Sequence, residues 1–110
     1  GGSSVSTVGS FELAALQETG QPVRLIDVRE DWEFEYNRIP GAELLPLHDL
    51  EFRHADVLKP DETIVCYCHM GMRSFNAALW LKQHGYDKVK SLAGGINRWA
   101  DDRDDSMPRY

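Results

Sequence analysis

The sequence has 110 residues, with 12 lysines and arginines against 18 aspartates and glutamates, and its net charge is −6 when histidine is counted as neutral. Hydrophobic residues make up 42% of the chain, which is enough for one compact core but not for two. The longest apolar runs, such as residues 64–68, are too short to span a bilayer. The acidic balance argues against nucleic acid or an anionic lipid membrane as a partner.

The start of the chain and its two cysteines bear on domain organisation and location. Residues 1–4, Gly-Gly-Ser-Ser without a methionine, are interpreted as a cloning scar or flexible start, and residues 5–110 are expected to form a single domain. Cys66 and Cys68 are the only cysteines, and a disulfide between residues two apart on an extended strand would be strained. Free thiols favour a reducing compartment, so the cytoplasm is the expected location.

Helices and strands are predicted to alternate along the chain from its hydrophobic periodicity and its glycine and proline breaks. Helices are expected over residues 11–17, 30–36, 49–57, 74–84 and 96–100, and strands over residues 23–28, 42–45, 63–67 and 89–92. Asp49 and Ser74 are expected to cap the helices that they begin. The acidic run 101–105 is expected to be a solvated tail, and Trp32 and Trp99 are expected in the core.

This alternation is typical of an α/β fold. Short apolar strands joined by crossover helices predict a small central parallel sheet of about four to five strands with helices on both faces. Asp27 and Arg29, at the end of the first predicted strand, are interpreted as a structural ion pair. Ligands of such folds bind beyond the carboxyl ends of the strands, which directs attention to the residues that follow the strand at 63–67.

The chemistry of the chain is concentrated in the segment after its clearest strand, Cys68-His69-Met70-Gly71-Met72-Arg73-Ser74. A cysteine in a short loop that enters a helix can be surrounded by inward backbone N–H groups and by the positive end of the helix dipole, and both favour a thiolate. Gly71 allows the loop to take a positive φ, and Arg73 adds a permanent positive charge. Cys68 is therefore predicted to be a nucleophile.

The residues around Cys68 receive simpler interpretations. Cys66, inside the strand, is expected to be a core residue. His69, Met70 and Met72 are expected to form the rim of the pocket, where they would tune what enters. Cys66, Cys68 and His69 lack the second pair of ligands that structural zinc requires, so no metal site is predicted.

Four short segments, in this order and spacing, resemble the rhodanese-like domain, which has the sulfurtransferase fold. They are Leu25-Ile26-Asp27-Val28-Arg29-Glu30 with Trp32-Glu33-Phe34, then Ile39-Pro40-Gly41-Ala42, then the Cys68 loop with Gly71, Arg73 and Ser74, and finally Leu92-Ala93-Gly94-Gly95-Ile96 with Trp99. The resemblance covers nearly the whole chain. Arg38 stands where the family often has a histidine, outside the loop.

The resemblance implies that Cys68 accepts a sulfane sulfur from a donor such as thiosulfate, holds it as a persulfide and passes it to a thiophilic acceptor, for which cyanide is the generic test. It implies substrate binding by the rest of the loop, with Arg73 facing the anionic donor; these residues are His69, Met70, Gly71, Met72, Arg73 and Ser74. No organic cofactor or metal is implied.

Two alternatives remain open beside this activity. A non-catalytic rhodanese-like module would only bind a partner, and it is disfavoured because such modules typically lack the loop cysteine. A related phosphatase or arsenate reductase would have a loop one residue longer than the six residues from Cys68 to Arg73. The shorter loop is expected to suit a single terminal sulfur better than a tetrahedral oxyanion.

The last six residues, 105–110, resemble the ends of rhodanese domains linked to E1-like adenylyltransferases that sulfurate small carrier proteins. This resemblance is short. It implies a role in sulfur delivery, with a sulfur-carrier protein or a cysteine desulfurase as a partner.

Overall fold

The computed structural model describes residues 5–20 and 22–109. The interpretation of residues 1–4 as a scar, and of Tyr110 as part of the tail, lies outside these residues. The elements in chain order are β1 (Ser6–Val8), α1 (Ser10–Glu18), β2 (Val23–Asp27), α2 (Asp31–Tyr36), β3 (Glu43–Leu44), a 3₁₀ turn (Leu47–Asp49), α3 (Leu50–Val57), β4 (Thr63–Tyr67), α4 (Met72–Gln83), β5 (Val89–Leu92) and α5 (Gly95–Arg103).

The five strands form one parallel sheet in the order β1-β5-β4-β2-β3. The α/β fold and the parallel sheet predicted from the alternating elements are therefore confirmed. Strand β4 is central, with Cys66 paired to Ile26 of β2 on one side and to Ser91 of β5 on the other. Its carboxyl end, where the Cys68 loop begins, is thus held between two neighbouring strands.

Alternate residues of the strands face two separate layers of helices, as a period of two requires. On one face Ile64, Cys66 and Cys68 belong to an apolar cluster that also contains residues of α3 and α4, such as Leu50 and Leu81. On the other face, strand residues such as Val65 and Tyr67 pack with α1 and α5 through Leu13, Ile96 and Trp99. Burial of these two apolar layers holds the sheet between its helices.

Three features of the structure differ from the prediction: one strand, the end of one helix and the exposure of one tryptophan. Strand β1 was not predicted because it has three residues, of which only Val8 is buried. Helix α5 runs to Arg103, so the acidic run 101–105 is helical over its first three residues rather than tail. Trp99 lies in the core as expected, but Trp32 is 54% exposed.

The end of β2 is fixed by a buried ion pair, as the sequence predicted. Asp27 and Arg29 are both fully buried, and Arg29 Nη2 lies 2.6 Å from Asp27 Oδ2. The other end of the guanidinium donates to Asn37 Oδ1 at 2.7 Å, and Asn37 Nδ2 donates to the carbonyl of Pro108 at 2.8 Å. This chain of contacts attaches the C-terminal segment to the loop after α2.

Among residues 5–20 and 22–109, the helices are each too short or too polar to cross a membrane.

Candidate active site

Cys68 lies directly after β4, and its sulfur is the acceptor of two backbone hydrogen bonds. The N–H of Gly71 donates to Cys68 Sγ at 3.1 Å, and the N–H of Ser74 donates to it at 3.3 Å. Gly71 is the N-cap of α4 and Ser74 is its third residue, and the N-terminus of this helix carries a partial positive charge. The predicted cradle of inward N–H groups is present, and it stabilises negative charge on this sulfur.

Gly71 gives the loop its shape. Its φ is +107°, a conformation that residues with a side chain rarely adopt. A Cβ at this position would meet the N atom of Gly94 at 3.4 Å, which is ordinary contact, so conformation rather than space requires glycine here. The turn points the Gly71 N–H at the sulfur and places Gly71 at the N-cap position of α4.

The start of α4 corrects the expected role of Ser74. The helix begins at Met72, so Ser74 is its third residue and not the N-cap. Its side chain is fully buried, with Oγ 3.5 Å from Cys68 Sγ and 2.8 Å from Ser91 Oγ. Ser74 therefore contacts the sulfur through both its N–H and its hydroxyl. Ser91 of β5 was not predicted as a site residue.

Helix α5 holds the other side of the loop, a contact that was not predicted from the sequence. The N–H of Ile96 donates to the carbonyl of Cys68 at 2.8 Å, and the N–H of Asn97 donates to that of His69 at 3.2 Å. A Cβ on Gly95 would lie 2.4 Å from both of these carbonyl oxygens. Gly95 is thus required for close approach, and α5 binds the carbonyls of Cys68 and His69.

The other predicted loop residues lie at the surface or near it. Met70 and Met72 are 62% and 78% exposed, and His69 is half-buried. These positions suit a rim, and the binding of substrate by His69, Met70 and Met72 stays a prediction.

Arg73 is paired with a carboxylate that was not among the predicted site residues. Its Nη1 and Nη2 donate to the two carboxylate oxygens of Glu33, in α2, at 2.7 and 2.8 Å. Glu33 is only 2% exposed. The two residues are 40 positions apart, so only the packing of α2 against the loop reveals the pair. The sequence gives one indication of this pair: Glu33 lies in one of the four segments that resemble the rhodanese-like domain.

A cavity of about 420 Å³ lies beside this pair. It is lined by Val28, Glu30, Leu47, His48 and Arg73. Val28 belongs to the same apolar cluster as Cys68, and Arg73 immediately precedes Ser74. The cavity therefore borders the loop, while Cys68 itself is only about 1% exposed.

Cys66 has a different environment from Cys68. It is fully buried in the sheet, as the sequence predicted, and burial together with the nearby Cys68 raises the pKa of its thiol to about 12. At neutral pH the thiol of Cys66 is protonated, and a protonated thiol is a poor nucleophile. The chemistry available at the end of β4 is therefore that of Cys68.

Comparison with known proteins agrees with this geometry. The family model described as "Rhodanese-like domain" matches residues 11–102. A protein named sulfurtransferase from Allochromatium vinosum is 36% identical over 96 residues, which cover 87% of this chain and 89% of that protein.

Two further relatives differ in how much of their length is matched. The structure of the human single-domain sulfurtransferase TSTD1 has a TM-score of 0.77 and 32% identity, and the match covers 88% of this chain and 96% of that one. The "probable adenylyltransferase/sulfurtransferase MoeZ" of Mycobacterium tuberculosis is 34% identical over 106 residues, but these cover only 27% of its length. Sequence and structure thus agree along most of the chain, and the protein belongs to the rhodanese-like domain family.

Proposed function

We propose that the protein is a sulfurtransferase in which Cys68 carries a sulfane sulfur as a persulfide. The observation that supports this most strongly is the pair of N–H donors, from Gly71 and Ser74, on Cys68 Sγ. A hydrogen bond to an anionic acceptor contributes about 2 kcal/mol, so two of them favour both the thiolate and the anionic persulfide that replaces it.

The reaction divides into two displacements, each of which balances without an external oxidant or reductant. In the first, the Cys68 thiolate attacks the outer sulfur of thiosulfate; the S–S bond of the donor breaks, sulfite leaves, and Cys68 becomes a persulfide anion. In the second, a thiophilic acceptor such as cyanide attacks the terminal sulfur. Thiocyanate leaves and the thiolate is restored, so ping-pong kinetics are expected.

The attachment of the loop to α5 supports a preformed site. Because Ile96 and Asn97 bind the carbonyls of Cys68 and His69, the N–H groups of the loop are left to face the sulfur before any substrate arrives. Preorganised donors stabilise charge without a cost of reorganisation during the reaction. The 1% exposure of Cys68 also favours a reagent that presents a single terminal sulfur over a bulky group.

The physiological partners are proposed as classes of protein. One relative, MoeZ, is named both an adenylyltransferase and a sulfurtransferase, and another is named a putative sulfur carrier protein. These names support a protein relay, in which a cysteine desulfurase supplies the sulfur and a sulfur-carrier protein accepts it. The two free cysteines support a reducing location such as the cytoplasm.

Intact-mass measurement after incubation with thiosulfate tests the proposal. The wild-type protein should gain one sulfur atom, and cyanide should remove it. Cys68→Ser should gain none, since a serine keeps an acceptor for the two N–H groups but cannot form a persulfide. Cys66→Ala is the matched control and should still be loaded, because Cys66 lies outside the loop and offers no reactive thiolate.

Other outcomes identify the alternatives. A folded, reduced protein that takes no sulfur from thiosulfate or from a cysteine desulfurase, and still binds a partner, would be a non-catalytic module. Hydrolysis of an aryl phosphate that disappears in Cys68→Ser would indicate a phosphatase instead.

A further inference from the structure

The bidentate pair of Arg73 and Glu33 determines how much positive charge the site offers. Arg73 is the loop residue expected to attract an anionic donor, yet both of its Nη atoms donate to the Glu33 carboxylate within 2.8 Å. Glu33 is buried, and its Oε1 also accepts the backbone N–H of Glu30 at 3.0 Å, which fixes it in place. The positive charge of Arg73 is therefore balanced by a rigid negative charge.

The cavity beside the loop contains further negative charge. Glu30 lines it together with Arg73, and its other lining residues, Val28, Leu47 and His48, carry no fixed charge. If histidine is counted as neutral, Arg73, Glu33 and Glu30 sum to −1, and the whole chain carries −6. A dianion that enters this cavity therefore meets a net negative charge from these side chains, and their effect is strongest where burial lowers the local dielectric.

We propose that Glu33 is a positioning residue that sets the donor preference of the site: by neutralising Arg73 it selects a thiol persulfide of low charge over thiosulfate. This inference rests on the proposed Cys68 persulfide. The Cys68 thiolate attacks the outer sulfur of the ionised persulfide R–S–S⁻, the S–S bond of the donor breaks, and RS⁻ leaves. The products are the Cys68 persulfide anion and the thiolate RS⁻, so no additional reductant or oxidant is consumed.

Glu33 acts through Arg73 and not by contact with the reacting sulfur. Arg73 precedes Ser74, whose N–H donates to Cys68 Sγ, so the ion pair also anchors the first turn of α4 to α2. Loss of this anchor alone would slow transfer from every donor by the same factor. A change in preference between donors is what separates the charge effect from a structural one.

The test compares two donors in the wild type and in Glu33→Gln. Thiosulfate carries two negative charges, whereas cysteamine persulfide has a protonated amine and an ionised persulfide, so its net charge is zero. For each protein, kcat and KM are measured separately with both donors, with cyanide as the acceptor, and the ratio of the two kcat/KM values is calculated. Glu35→Gln is the matched control, because Glu35 is an exposed residue of the same helix and its loss changes the net charge equally.

We expect Glu33→Gln to shift the ratio towards thiosulfate by about tenfold, mainly through a lower KM for thiosulfate, because Arg73 regains an unbalanced charge. Glu35→Gln should leave the ratio unchanged. If the ratio of the two kcat/KM values in Glu33→Gln equals that of the wild type, the inference is wrong and the proposed function is unaffected. Failure of both donors to load Cys68 in the wild type overturns both.

A second measurement needs no variant, so it holds even if Glu33→Gln does not fold. Salt screens charge repulsion, so kcat/KM of the wild type for thiosulfate should rise with ionic strength, while that for cysteamine persulfide should change little. A fall in the thiosulfate value with added salt would show attraction and overturn the inference.

Discussion

Cys66 and Cys68 are two residues apart and face the same side of the sheet, but they lie in chemically different regions. Cys66 is enclosed by the sheet, and burial raises the pKa of its thiol to about 12. Cys68, one step beyond the strand, is almost as deeply buried, yet its sulfur accepts N–H groups from Gly71 and Ser74. Two cysteines that are buried to nearly the same extent therefore differ in the polar groups that surround their sulfur atoms.

The difference comes from where the backbone donors point. Inside β4 the N–H groups are used by the neighbouring strands, so none is directed at the sulfur of Cys66. After the strand ends, Gly71 turns the chain and α5 binds the loop carbonyls, which directs N–H groups to the sulfur of Cys68. The same residue type is thus a core residue in one place and a candidate nucleophile two positions later.

The largest expected effect is on the turnover of the two cysteine variants, which tests whether the two residues differ in function. Cys68→Ser should lower the rate of thiocyanate formation from thiosulfate and cyanide at least about a thousandfold, because the covalent carrier is lost. Cys66→Ala should keep most of the activity and lose about 1–2 kcal/mol of stability, from the cavity that it leaves. Equal losses of activity in the two variants would contradict the assignment of Cys68 as the carrier.

The rate of alkylation of Cys66 measures how strongly burial suppresses the reactivity of its thiol. With a pKa of about 12, only about one Cys66 thiol in ten thousand is ionised at pH 8 in the folded protein. Unfolding returns the pKa to its ordinary range, so the rate of reaction with iodoacetamide should rise about a thousandfold. Peptide mapping of folded and denatured samples measures this directly. Labelling of Cys66 at the same rate in both states would show that burial does not protect it.

Gly95→Ala should disrupt the Cys68 region while β4 stays intact. The added Cβ would lie 2.4 Å from the carbonyl oxygens of Cys68 and His69, so α5 or the loop has to move. We expect about a hundredfold loss of kcat, since small displacements of catalytic groups have effects of this size, and a clear fall in Tm.

Gly20→Ala is the matched control for this variant. Gly20 also has a positive φ, +81°, but a Cβ there would meet no atom within 4 Å. It should lose about 1 kcal/mol of stability and no activity. Wild-type activity in Gly95→Ala would mean that the loop does not depend on α5.

The smallest expected effect is that of Ser91→Ala. The Ser91 hydroxyl lies 2.8 Å from that of Ser74, which in turn contacts the Cys68 sulfur, so its loss should lower kcat by roughly tenfold or less. Ser10→Ala removes another buried hydroxyl, one bonded to Asp102 on the opposite face, and should affect only stability. Identical kinetics in both variants would exclude Ser91 from the site.

The sequence predicts well the features that depend on residues close to one another in the chain. Strand β4 and the Cys68 loop follow from one continuous apolar run, a glycine and a helix start. The Asp27–Arg29 pair is equally local. Strand β1 has no such signal, because three residues with one buried side chain show no periodicity.

The features that were missed depend on packing between distant segments. Arg73 looks available for an anion until α2 brings Glu33 to it, and no local pattern indicates this contact. Ser91 and Gly95 likewise reach the loop only because β5 and α5 lie beside β4. Their effect on the loop follows from the order of the strands, which the helix and strand periods do not specify.

The central position of β4 also limits which changes in chain length the protein can tolerate. Because side chains alternate between the two faces, a single residue inserted or deleted within Thr63–Tyr67 would turn Cys68 from the α4 side of the sheet to the α1 side. The exposed turn at Lys59 to Asp61 carries no such constraint. Length variation among natural relatives should therefore collect in that turn, while the spacing from the start of β4 to Cys68 stays fixed.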